Sequence, residues 1–378
     1  MPNIIGAFKQ YLRTKGPIYI IRTICKEILP GYGVFKSLQR KYGKDVSIFV
    51  GQHPGTGDVY LQSMFLKEYI SSHQITKYVF TVIGKGAQNV AKLFNIEHIE
   101  IISIEKSNQL IKFRKFVYGE CDLKINVLHY HPMASYYDEY MGNLRNYRGL
   151  NFMEMMKRAV FKEGNFVVTR PKPQPDYQYI NCIYKKYSLL PQKTVLIAPY
   201  ANSVSTLPAS FWEHLAKRLD QLGYRVCTNS FGLNEPPIQG TCAVALSYND
   251  IYEFLKRSGY LICLRSGLCD LISSVECKKI ILYPRQELSS IMGGLGTVYN
   301  YFSLNKMGLC NDAMEFEFSV KANEHELELI ENAILRALHP KLCGNLQQGV
   351  EWKQDDGGNH NGKKEKNPRR KRTSRKNS

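Results

Sequence analysis

From Val46 to Leu338, short apolar runs alternate with segments whose apolar residues recur every three or four positions. The runs are Val46–Val50, Tyr78–Ile83, His98–Ile102, Leu123–Leu128, Thr194–Ala198, Tyr224–Cys227, Tyr260–Leu264 and Lys279–Tyr283. Each is the length of a buried strand. Helical spacing is read over Val59 to Ser71, Lys85 to Phe94, Ser107 to Phe116 and Phe152 to Phe161. It recurs in Phe211, Trp212, Leu215, Leu219 and Leu222, and from Glu324 to Leu338, where Pro340 stops it. A further strand and helix are expected between Cys227 and Tyr260. Strands alternating with helices imply α/β architecture, with parallel sheets wrapped by helices.

The pattern is interrupted once, by Arg170-Pro171-Lys172-Pro173-Gln174-Pro175, a stretch that spaced prolines hold extended. A chain of 378 residues suits two domains. The expected boundaries are 46–169 and 177–339, joined by a linker at 170–176. Ahead of them, residues 1–45 carry apolar stripes (Ile4, Ile5, Phe8, Tyr11, Leu12, then Ile20, Ile21, Ile24, Ile28) between lysines and arginines. Such a basic helical extension suits either an anionic membrane surface or packing on the domain. Beyond Gly344 apolar residues nearly vanish, and 344–378 is expected to be a disordered polybasic tail.

Charge sharpens this outline. The net charge is +18, much of it in Lys363–Lys376 and in the first 45 residues. Basic ends around a less biased middle suggest contact with a polyanion rather than a property of the fold. The 10 cysteines are scattered, with no Cys-x-x-Cys, as in a reduced compartment. No run reaches the ~18–20 apolar residues of a membrane span, and the start lacks the features of a secretory signal. A cytoplasmic protein, peripheral at the membrane, is therefore expected.

The candidate chemistry lies in loops beyond the carboxyl ends of strands, where open α/β sheets bind ligands. Gly51-Gln52-His53-Pro54-Gly55-Thr56-Gly57-Asp58 joins the first strand to a helix, offering backbone N–H groups and a carboxylate. Asp58 is also explained as a plain helix cap. His129-Tyr130-His131-Pro132 follows the fourth strand. Two histidines one residue apart, without a third ligand, argue against a metal site, and no His-Glu-x-x-His or Asp-x-Asp occurs. Pro199–Thr206 supplies Asn202, Ser203, Ser205 and Thr206, and Arg265-Ser266-Gly267-Leu268-Cys269-Asp270 opens another helix. Hydroxyls, an amide, glycine and arginine at two strand ends suit an anionic phosphate ligand; Arg265 is equally explained as an ion-pair partner.

The Gly57-Asp58 loop, the Pro-Tyr-Ala-Asn-Ser loop ahead of the Phe211-Trp212 helix, and the Arg265–Asp270 turn resemble bacterial glycosyltransferases with two Rossmann-like domains facing across a cleft (the GT-B type). The closest echo is the ADP-heptose:lipopolysaccharide heptosyltransferase family, over Val46 to Pro284. The resemblance implies Asp58 as catalytic base, with Asn202, Ser203, Ser205, Thr206, Asn229, Arg265, Ser266, Gly267 and Asp270 at a nucleotide-sugar donor. Their loop positions offer His53, Gly57, His129 and His131 to the acceptor; His129 and His131 are also explained as ordinary loop histidines. The resemblance also implies direct displacement with inversion, no cofactor and no metal, and a lipid-linked glycan acceptor in surface polysaccharide synthesis. Two departures stand out. The family's Asp-Thr-Gly-x-x-His turn reads Arg265-Ser266-Gly267-Leu268-Cys269-Asp270, and its donor-loop lysine has no match near Ser205-Thr206-Leu207-Pro208. The sugar and nucleotide are therefore open. Two other readings remain: a sugar-nucleotide epimerase of the same fold, and a basic nucleic-acid or polyanion-binding protein, whose binding would fall steeply with salt. No recognised nucleic-acid motif is present, so a specific nucleic-acid partner is not expected. Oligomeric state is not legible.

Overall fold

A computed structural model describes residues 21–51, 54–117, 124–128, 151–161, 167–287 and 297–339. His53, His129, His131, the first twenty residues and the 344–378 tail lie outside the described residues. In the N-terminal half, β1 (Ser47–Val50), β2 (Tyr78–Val82), β3 (Ile99–Ile101) and β4 (Ile125–Val127) form a parallel sheet in the order β3-β2-β1-β4. In the C-terminal half, β5 (Thr194–Ala198), β6 (Arg225–Asn229), β7 (Cys242–Val244), β8 (Gly259–Leu264), β9 (Lys278–Pro284) and β10 (Met314–Phe318) run parallel in the order β10-β9-β8-β5-β6-β7. Both orders reverse beside their first strand, between β1 and β4 and between β5 and β8. Those reversals create the crevices where doubly wound sheets bind ligands.

The architecture is the expected pair of Rossmann-like halves. Strand β10 was not foreseen: Met-Glu-Phe-Glu-Phe alternates apolar and acidic residues, because an edge strand is only half covered.

Helix α1 (Leu29–Tyr42), entered through a wide π-turn at Ile24–Ile28, packs on the N-terminal half. Tyr32 and Phe35 meet the ring of Phe113 at 5.5 and 5.7 Å. Gly31 presses so tightly on α4 (Ile104–Phe116) that a Cβ there would run into the Gln109 carbonyl. Lys112 pairs with Glu27 at 2.6 Å, and Lys41 with Glu100 at 2.5 Å. The described part of the basic extension, then, is a layer of the domain.

Helix α2 (Thr56–Ser72) is the pivot of the molecule. Gly57, Val59, Tyr60, Leu61, Gln62, Met64, Phe65 and Leu66 are all buried, leaving no polar face. A helix covered on every side belongs in a core. One apolar cluster runs from the N-terminal sheet past α2 into one face of the C-terminal sheet, at Leu196, Cys263, Ile281 and Tyr283. The opposite face (Val195, Ile197, Ile262, Leu264, Leu282) is covered by α7 (Ala209–Gln221) and α11 (Glu324–Leu338), through Trp212, Leu215, Ile330 and Ile334. The linker is fastened to both halves. Lys172 N–H donates to the Leu93 carbonyl at 2.6 Å, and Gln174 N–H to Asn249 Oδ1 at 2.9 Å. Among the described residues no helix is long and apolar enough to cross a membrane.

Candidate functional site

On the N-terminal side, β1 ends at Val50 and Gly51 N–H extends its pairing to the Thr81 carbonyl at 2.8 Å. The chain enters α2 through Gly55, whose extended backbone caps the helix. Asp58 therefore sits in the first turn, half-buried. On the C-terminal side, β8 ends at Leu264 and the chain turns through Arg265 and Ser266 into α9 (Gly267–Leu271). The turn is braced by sulfur. Cys269 Sγ accepts from Ser266 N–H at 3.4 Å, lies 3.3 Å from the Leu264 carbonyl, and sits 3.5 Å from Cys263 Sγ.

The two helix starts meet. A Cβ on Gly57 would lie 2.5 Å from Asp270 Oδ2 and 3.0 Å from Gly267 Cα. A Cβ on Gly267 would lie 2.5 Å from both Gly57 N and Thr56 Oγ1. Only two glycines allow backbones to approach this closely. Around the contact, the Tyr60 hydroxyl of α2 lies beside Ser273 and Tyr252 of the C-terminal half; burial pushes this phenol up to about 12. The Tyr248 hydroxyl lies beside Thr56. Farther along, Phe152 packs on Phe302 at 5.2 Å between ring centres.

Arg265 does not face an open site. Its guanidinium forms a two-pronged ion pair with Asp270 at 2.8 and 2.9 Å, donates through Nε to the Phe302 carbonyl at 3.0 Å, and also donates to the Ser266 carbonyl. It is 5% exposed and Asp270 2%. Burial pushes the Asp270 carboxyl up to about 6; Arg265 pulls it down and the nearby charge of Asp58 pushes it up again. Of the two sequence readings of Arg265, the arrangement is that of the ion-pair partner. In a dry interior an unpaired charge is costly, so each side chain turns to the other.

The remaining donor-side residues lie at the carboxyl edge of the C-terminal sheet. Asn202, Ser203 and Thr206 are exposed on the loop after β5. Ser205 is anchored, its N–H and hydroxyl both directed at Gln286 Oε1 (3.0 and 3.3 Å). Tyr200 ties the same loop to the next by donating to the Pro236 carbonyl. Asn229 turns inward, where its Oδ1 takes the Leu246 N–H at 3.5 Å and holds the chain after β7. The loops thus gather Asp58, Gly57, Ser266, Gly267 and the β5 loop around one interdomain contact, while Arg265, Asp270 and Asn229 support it from within. Sequence reading missed Tyr60, Tyr248, Tyr252 and Gln286. Gln286 alone had a visible signal, since it lies just past the carboxyl end of β9. Among the described residues no group of three His, Cys, Asp or Glu is placed to hold a metal ion.

No protein-family model matches the sequence, and no curated protein does. Solved structures similar to this chain include a glycosyl transferase family 9 protein from Veillonella parvula DSM 2008, at 13% identity and TM-score 0.48 over 78% of this chain and 97% of that one. The E. coli ADP-heptose lps heptosyltransferase II is similar at 12% identity and TM-score 0.47, over 79% and 99%. The wall teichoic acid polymerase TagF is similar at 12% identity and TM-score 0.33, over 89% and 99%.

Proposed function

We propose that this chain is a glycosyltransferase that moves a sugar from a nucleoside-diphosphate sugar to a hydroxyl of a glycan acceptor. The observation that carries the reading is the meeting of Gly57-Asp58 with the Gly267 turn, which sets a carboxylate of one sheet's ligand crevice against the ligand crevice of the other. The motif resemblance supports it from the sequence side. In the reaction, Asp58 takes the proton of the acceptor hydroxyl as its oxygen attacks the anomeric carbon. The new C–O bond forms as the bond to the diphosphate breaks, and the nucleoside diphosphate leaves with the electron pair. Attack opposite the leaving group inverts the anomeric centre. Packing of the two halves around α2 keeps water from competing as acceptor.

In this reading the exposed side chains of Asn202, Ser203 and Thr206 on the β5 loop serve the donor, and Gly57, on the loop after β1, serves the acceptor. The proposed acceptor is lipid-linked and belongs to a surface polysaccharide. The basic termini support attachment to the inner, anionic membrane face at ~1 kcal/mol per basic residue near the surface. The displacement is written without a metal because the sequence has no Asp-x-Asp pair.

The test begins with thermal shifts against ADP, UDP, GDP, CMP and dTDP, since a ligand of the folded state raises its melting temperature. The sugar form of the nucleotide so identified is then the donor for Asp58→Asn. Transfer should fall roughly 10²- to 10⁴-fold, the usual contribution of a general base, with nucleotide binding unchanged. Transfer by Asp58→Asn at the normal rate removes Asp58 as base.

A further inference from the structure

We propose that Arg285, at the carboxyl end of β9, supplies the positive charge that binds the donor's diphosphate; this rests on the transferase reading above. A departing diphosphate needs a counter-charge, and the obvious candidate is already engaged. Arg265 gives its donors to Asp270, Phe302 and Ser266 inside the protein. The loops after β5 (199–208) and after β6 and β7 (230–249) contain no lysine or arginine at all. Lys321 follows β10 at the far edge of the sheet. Lys306 lies over the Tyr299 ring at 4.2 Å and donates to Asn300 at 3.3 Å.

Arg285 differs on each count. Its side chain is exposed, and among the described residues it has no ion-pair or hydrogen-bond partner. Its backbone is nonetheless fixed. Arg285 N–H donates to the Phe318 carbonyl at 2.8 Å, and the next residue is held by Val298 N–H on the Gln286 carbonyl at 3.0 Å. Strand β9 is separated from β5 only by β8, so the bond from Ser205 to Gln286 crosses the end of β8 at the reversal point of the sheet. That clasp ties the residue next to Arg285 to the hydroxyl-rich β5 loop, on a backbone that is itself fixed. A planar guanidinium there, with the exposed hydroxyls of Ser203 and Thr206, suits the paired oxygens of a diphosphate.

The experiment compares the unaltered chain with Arg285→Ala and Arg285→Lys, titrating the nucleoside diphosphate picked by the thermal screen alongside its nucleoside. Arg285→Ala should weaken the diphosphate roughly 10- to 100-fold, the range expected for a lost charge-assisted hydrogen bond, and leave the nucleoside unchanged. Arg285→Lys should recover part of the loss, and the salt dependence of binding should flatten in Arg285→Ala. Because the side chain is exposed, both variants should melt with the unaltered chain when ligand-free. Diphosphate binding by Arg285→Ala within twofold of the unaltered chain overturns the assignment. Binding of none of the five nucleotides by the unaltered chain overturns the transferase reading, and the assignment with it.

Discussion

Gly57→Ala or Gly267→Ala should slow transfer sharply, and Gly57→Ala should do so with donor binding intact. Neither glycine has a left-handed backbone, so alanine is not excluded by conformation. What excludes it is the neighbour across the domain contact. The added Cβ of Gly57→Ala would stand 2.5 Å from Asp270 Oδ2, where ordinary contact begins at 3.4 Å. That of Gly267→Ala would stand 2.5 Å from Gly57 N. Neither obstacle is the free end of a flexible chain. One is a carboxylate held by two bonds to Arg265, the other is backbone. Relief therefore requires the halves to part by roughly 1 Å, with an overpacking cost of about 1–3 kcal/mol. A displacement of that size between base and donor lowers catalysis about 100-fold. The assay is turnover with the identified donor beside a titration of its nucleoside diphosphate, which Gly57→Ala should bind normally because its C-terminal half is unchanged. Gly33→Ala is the control. It lies within α1 with nothing within 4 Å of the added Cβ, and should gain about 0.5–1 kcal/mol with full activity. Wild-type turnover by both Gly57→Ala and Gly267→Ala would refute the argument that this contact sets the geometry.

Two further outcomes follow from the same structure. A carboxyl whose folded value, about 6 for Asp270, lies above the unfolded ~3.9 contributes stability fully present below about pH 4 and lost as pH rises through 6. Arg265→Met removes the cation that opposes this loss. Thermal melts should show roughly 3–5 kcal/mol of destabilisation at pH 8, much less at pH 5, and recovery in Arg265→Met/Asp270→Leu; equal losses at the two pH values would contradict the buried-pair assignment. Phe35→Ala, which empties the contact of α1 with Phe113, should cost about 3–5 kcal/mol in denaturant melts. A negligible loss would return the described part of the extension to the status of a detachable arm.

Much of the architecture was legible along the chain. A strand covered on both faces needs apolar residues throughout, so Val195-Leu196-Ile197 and Ile280-Ile281-Leu282 announce central strands without reference to anything distant. The loops at their carboxyl ends then mark where a doubly wound sheet receives ligands, which is why the Gly57-Asp58 and Ser266-Gly267 turns could be singled out. The partners of those loops could not be read. Asp270 is five residues from Arg265, and nothing local distinguishes a pair locked together from two groups facing a ligand; burial decides. Gly57 and Gly267 are ordinary turn glycines until the packing of α2 between the sheets brings their backbones together. Likewise, Ile24 and Ile28 fit a lipid surface or a protein face equally well, and only the tertiary fold packs these two against the core of the domain. Local pattern encodes what each segment buries, whereas the identity of what it is buried against belongs to the tertiary fold.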